Sequence, residues 1–342
     1  MTTASENQRT PGVRWLDKLL PLLGITLVTG GFILLIWFAY LWLTPEAAPY
    51  QYQLIEQGSV KEFPELELEA WPGLTVSKYE ILTPEADKPI AQAYFGQRND
   101  QSPVLLNWEN HTGEPLITLD RKPSELSALA SAINKHTSTD ALILAWWDTS
   151  RQIRLLSERN TLFNGHLNEP LIIPARWQEL SQAIRAYEDH IPQSAPSEQE
   201  RAQFSRFTEA LVQPPEAGIA QLRELIGPDQ EAYLVIHISD LYKLGLMQPD
   251  KFGVAYKNFA MTGNIHGLIN HMKVEMKEHD YSTYTLQSLS DRDIRVFFLM
   301  DEQSTDTLIA HMLPFTGKPP PLDFKAAQLV YQQGGYWVYK LP

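Results

Sequence analysis

The chain has 342 residues, 44% of them hydrophobic and 20% charged, enough apolar material for one large or two ordinary folded domains. There are 28 Lys and Arg against 41 Asp and Glu, a net charge of −13, which argues against a nucleic-acid binder. Cysteine is absent, so disulfides, thiol catalysis, zinc ribbons, iron–sulfur clusters and thioether-linked c-type haem are excluded.

Residues 19–43 carry no charge and are predicted to form a transmembrane helix: at 1.5 Å per residue they cross a hydrocarbon core of ~30 Å. Trp37, Tyr40 and Trp42 fall where an interfacial aromatic belt belongs. Arg9, Arg14 and Lys18 precede the span, and the first basic residue after it is Lys61. The positive-inside rule therefore keeps residues 1–18 as a cytoplasmic tail and exports the remainder. The apolar run exceeds the h-region of a cleaved signal peptide, which favours an uncleaved signal-anchor in the inner membrane. The exported part has 25 basic and 39 acidic residues, and with no cysteine it suits a periplasm-like space and a basic partner face.

The exported part divides at about residue 122. Residues 44–122 are predicted to be a β-rich membrane-proximal region, with strand-like runs at 75–82, 90–97, 103–109 and 115–120 separated by turn residues. From Pro123 to the end, helical and strand patterns alternate, so 123–342 is predicted to be an α/β domain. Its expected helices are 123–136 with Ser124 as N-cap, 149–157, 174–191, 198–212, 215–226 and 265–279. A polar loop is expected over 192–200. Its expected strands are 141–146, 232–238, 281–287, 294–300 and 336–340, the last reached through a Gly334-Gly335 hairpin turn.

Two segments each end a buried strand, where α/β sheets gather binding groups. The first is Trp146-Trp147-Asp148. An indole N–H only donates and a carboxylate only accepts, so together they suit a hydroxyl that accepts from Trp and donates to Asp. The plain alternative is a core Trp pair and Asp148 as N-cap of the next helix. The second segment contains Asp240, Lys243 and Met247, at helical spacings of 3 and 4 on one face. Asp240 and Lys243 pair and hold the loop in this reading, and Met247 supplies an apolar wall. The alternative is an N-cap, a solvated ion pair and a core methionine.

Together, WWD and D-x-x-K-x-x-x-M resemble the soluble domain of the oligosaccharyltransferase catalytic subunit. The resemblance implies that Trp146, Trp147, Asp148, Asp240, Lys243 and Met247 build a pocket for an acceptor hydroxyl. Thr149-Ser150 replaces that family's Tyr-Gly. The span also lacks Asp and Glu, and metal-assisted glycosyl transfer requires such carboxylates in that family's many-spanning part. A pocket without the reaction is therefore expected. The whole layout, with the stretch AWWDTSRQIRLLSERNTLF, resembles the hydroxylamine oxidation protein HaoB of ammonia- and methane-oxidising bacteria. That resemblance implies a non-catalytic, membrane-anchored periplasmic accessory of the multihaem hydroxylamine oxidoreductase, or of another periplasmic partner. It carries no cofactor and no assigned metal.

Two other readings stay open. His266, His271, Glu275 and His279 lie in one short region, and the last three share a helix face at i, i+4 and i+8, so a metal-dependent enzyme is possible. A structural envelope protein whose Trp pair is only core is the other. His237, inside an apolar strand, is expected to be a satisfied core histidine.

Overall fold

A computed structural model of the protein describes residues 13–43, 46–99, 101–190, 195–261 and 265–342, with side chains undescribed at 13–18, 41, 43, 265 and 266. The chain falls into two units, 1–47 and 48–342. The first contains α1 (Val13–Leu43). Within it, Leu19–Tyr40 is long and apolar enough to cross a membrane. Pro21 is accommodated inside the helix. Most of the expected tail, and residues 44 and 45, lie outside the described residues.

The second unit is a mixed α/β body. It begins with four antiparallel strands in sequence order: β1 (Gln51–Ser59), β2 (Leu74–Leu82), β3 (Ala91–Arg98) and β4 (Val104–Asn110). Strand β1 has no expected counterpart. Its side chains are mostly exposed and polar, as an edge strand requires, so it lacks the alternation that betrays β2 and β3. The expected strand over 115–120 does not form. Leu116 and Ile117 make isolated bridges to Thr118 and Ile172, and Ile117 takes φ 64°, a conformation costly for a β-branched residue that breaks a strand.

Helix α2 (Pro123–His136) follows Lys122 with Pro123 in its first turn. Ser124 therefore lies inside the helix rather than capping it; Pro at this point has no N–H to satisfy and a preset φ. Strand β5 (Leu142–Leu144) then feeds α3 (Trp147–Ser157), and β6 (Asn160–Thr161) closes a β-α-β unit. Helix α3 starts at Trp147, so Asp148 lies in its first turn and Trp146, not Asp148, is the N-cap. The expected helix over 174–191 opens instead as a 3-10 segment, Ala175–Leu180, before α4 (Ser181–His190). Of the expected polar loop, residues 192–194 lie outside the described residues.

Helices α5 (Glu198–Leu211) and α6 (Pro215–Ile226) precede β7 (Ala232–His237) and α7 (Asp240–Met247). The side chain of Ser197 accepts from Glu200 N and caps α5. Strand β8 (Val254–Ala260), helix α8 (Ile265–His279), β9 (Thr283–Ser288) and β10 (Asp293–Leu299) follow, with β8-β10-β9 forming an antiparallel sheet. Two single-turn helices, α9 (Glu302–Thr305) and α10 (Leu308–His311), lead to β11 (Gln328–Gln333) and β12 (Tyr336–Lys340).

The central sheet runs β11-β12-β7-β5-β6, with β7, β5 and β6 parallel. All six residues of β7 are buried, as a parallel strand covered on both faces demands. Its side chains alternate between two cores. Leu234 and Ile236 join Leu144, Phe204, Phe207 and Phe297. Tyr233 and Val235 join Ile143, Ile153, Leu129, Tyr94 and Leu106. The opposite face of the four-stranded sheet buries Tyr50, Phe95, Trp108, Leu171, Trp177 and Ile184.

Candidate functional site

Strands β5 and β7 are parallel neighbours, so their C-terminal ends lie side by side, and the chain turns there into α3 and α7. This adjacency brings together segments ninety residues apart. The Lys243 Nζ lies 2.8 Å from Asp148 Oδ2 and 3.2 Å from Asp240 Oδ1. Arg121, just ahead of α2, donates from Nη2 to the same Asp148 oxygen and from Nη1 to Thr149 Oγ1 at 2.8 Å. Two cations thus meet two carboxylates in a buried, charge-balanced network. Burial pushes the Asp148 carboxyl up, but the Arg121 and Lys243 charges outweigh it and hold the group well below the usual range. Asp240 is raised, because burial outweighs Lys243 even though the His237 N–H donates to it at 2.9 Å. His237 is fully buried and kept neutral by burial and by Arg121 and Lys243. Its Nδ1 is bonded to Ser239, while Nε2 has no partner among the described residues, so this core histidine is only half satisfied there.

Both indole donors are engaged inside the chain. The carbonyl of Glu169 accepts from Trp146 Nε1 at 3.4 Å and from Trp147 Nε1. Trp146 is 1% exposed and packs edge-on against Phe204. Trp147 is part-buried and meets the His166 ring edge-on.

A recess with a cavity volume of about 50 Å³ opens beside these groups. Of the six residues singled out by sequence, Trp146, Trp147, Asp148 and Lys243 line it. Asp240 lies behind Lys243, and Met247 packs part-buried against the main core outside the lining. Several lining residues carried no sequence signal: Arg151, His166, Asn168, Glu188 and Tyr52. Arg151 sits one turn beyond Asp148 on α3 and donates to the Pro103 carbonyl at 2.9 Å. Its Nη1 lies 3.2 Å from His166 Nδ1, and because a guanidinium only donates, the His166 proton sits on Nε2. Burial and the Arg151 charge push His166 down to about 4.

The histidine region resolves differently from its sequence pattern. On α8, ligand atoms of Glu275, Glu278 and His279 lie within 4.8 Å of one another, whereas His271 is not among them. Glu275 is already paired to Lys257 and to His279 at 3.3 Å. The side chain of His266 lies outside the described residues.

Comparison with known proteins places the chain. The family model of the HaoA-associated protein HaoB matches residues 16–341, from the apolar helix to the last strand. The chain belongs to this family. HaoB proteins are described by association with HaoA, the hydroxylamine oxidoreductase, rather than by a reaction, so the family role is an accessory one in hydroxylamine oxidation. No curated protein matches. Among solved structures, the C-terminal domain of PglB from C. jejuni is similar at a TM-score of 0.38 and 12% identity, over 63% of this chain and 98% of that one.

Proposed function

We propose that the chain is a non-catalytic anchor or assembly factor that binds the hydroxylamine oxidoreductase at the outer face of the cytoplasmic membrane. In this reading residues 1–18 are cytoplasmic, 19–43 span the bilayer, and 44–122 and 123–342 stand in the periplasm as a membrane-proximal β region and an α/β domain. The observation that carries the reading is the match to an association-defined family across both the apolar helix and the whole mixed α/β body. The acidic balance of the exported part supports a basic partner face. The docking feature is the end of the recess where part-buried Trp147 and Asp148 lie, with Trp146, Lys243 and Asp240 buried behind them and Met247 packed in the main core.

The test is co-purification from membranes of the native host. Wild type is expected to recover the oxidoreductase, and Asp148→Asn or Trp147→Ala to recover less of it. Absence of the oxidoreductase from the wild-type preparation defeats the accessory reading. Full recovery by both folded variants removes the recess from it.

One observation favours a second reading, in which the Trp pair is architecture and the chain is a structural envelope protein: both indole N–H groups already end on Glu169. Full recovery by both variants supports that assignment of the Trp pair.

A further inference from the structure

At another part of the recess lining lies Glu188 of α4, a carboxylate 3% exposed. The Tyr50 hydroxyl donates to its Oε1 at 2.5 Å, and the Tyr52 hydroxyl reaches Oε1 at 3.2 Å and Oε2 at 3.4 Å. Tyr187 stacks on Tyr52, and the Tyr50 and Trp177 rings approach to 5.7 Å. No Lys, Arg or His pairs with Glu188 among the described residues, and Asp189, whose charge acts on it, has the same sign. The cations elsewhere in the lining are committed: Lys243 to Asp148 and Asp240, and Arg151 to the Pro103 carbonyl and His166.

A buried carboxylate without a counter-charge either holds a proton or receives a cation. The recess beside it is built for the second. Tyr52 and Phe95 line it with aromatic rings, whose faces attract cations, and the buried Oγ1 of Thr118, another lining residue, makes no hydrogen bond among the described residues. About 50 Å³ admits only a few heavy atoms.

We infer that the recess is a binding site for a small protonated amine, with Glu188 as the counter-carboxylate, Tyr52 and Phe95 as cation–π walls and Thr118 as a second acceptor. The N–H groups of such a ligand supply the donors that Glu188 and Thr118 can still accept. A quaternary ammonium has the charge without the donors, and is larger. Burial raises the Glu188 carboxyl to about 7 against the two tyrosine hydrogen bonds, so proton and amine compete for one group. The other ionisable groups lining the recess are Asp148, held ionised, His166, held neutral, Tyr52, whose hydroxyl burial keeps protonated, and Glu169, Arg151 and Lys243; Asp148, His166 and Tyr52 keep their state between about pH 5.5 and 8.

The experiment titrates methylammonium chloride into the full-length, detergent-solubilised chain by calorimetry at about pH 8 and constant ionic strength. Saturable one-to-one binding is expected. Glu188→Gln is expected to weaken it about tenfold or more, Thr118→Val about threefold, and a shift to about pH 5.5 about tenfold in wild type. Tetramethylammonium is expected not to bind. The inference is overturned by a wild type that gives no saturable heat, by unchanged affinity in Glu188→Gln, or by equal binding of tetramethylammonium, which marks diffuse attraction to an acidic surface. Should Glu188→Gln not fold, the wild-type pH shift and Thr118→Val decide, and unchanged affinity in both overturns the site. The readout needs no partner protein, so its failure is separate from any failure of the proposed oxidoreductase interaction.

Discussion

Asp148 shows how far one side chain depends on groups that are remote in sequence. Its carboxylate is shared between Arg121, before α2, and Lys243, on α7. Breaking a buried ion pair on one side leaves unpaired charge behind, so Asp148→Asn should lower stability by about 3 kcal/mol, read as a reduced denaturant midpoint. Pairing it with Lys243→Met should recover part of that loss, because the double variant removes charge from both sides. Glu188 behaves in the opposite sense. Its folded-state pKa lies above the unfolded value, so its contribution is fully present below about pH 4.5 and is lost as the pH rises through about 7. In amine-free buffer, that loss should amount to about 3 kcal/mol in wild type and vanish in Glu188→Gln, measured by chemical denaturation across this range. Asp148 and Lys243 were visible in the sequence because each follows an apolar strand. Glu188 was not, because a glutamate in AIRAYEDH reads as the solvated side of an amphipathic helix; only β1, folded onto α4 from far upstream, makes it interior.

Among the elements, legibility follows burial symmetry. Strand β7 announces itself through six consecutive residues covered on both faces, and the hairpin between β11 and β12 through its two glycines. Strand β1 stands largely exposed with mostly polar side chains, and the half-buried edge strand β8 has its apolar residues interrupted by Lys257 and Asn258, so neither shows a clean alternation. Helix α3 buries an unusual polar face, where Ser150, Arg151 and Gln152 bond to the Ala145, Pro103 and Leu105 carbonyls. Hydrophobic patterning carries no trace of such an anchorage. The hairpin turn itself is tightly fitted. A Cβ at Gly335 would come 2.4 Å from His237 Nε2, and that ring is pinned through Nδ1 to Ser239. Gly335→Ala should therefore cost about 1–3 kcal/mol, seen as a lowered thermal midpoint, although a neutral substitution would be expected at an ordinary turn.

At the scale of the whole molecule, the apolar helix and the mixed α/β body are separate units, and the interior of the latter is built from its own residues. Removing residues 1–45 should release residues 46–342 into the soluble fraction with a cooperative thermal transition; a product confined to membranes or inclusion bodies would contradict this. The α/β class and the apolar span were legible because both rest on long composition patterns. The site was legible only where it touches strand ends, since the rest of it is assembled from the 163–173 segment, α4 and the first strands.

The seating of the 163–173 segment has an energetic consequence. One carbonyl oxygen, that of Glu169, terminates both indoles. Lifting the segment would strand two donors simultaneously, one of them deep in the interior, whereas a shift that kept either contact would strand only one. Displacing the segment thus carries the desolvation cost of two indole donors at once, unless the displacing group brings an acceptor of its own.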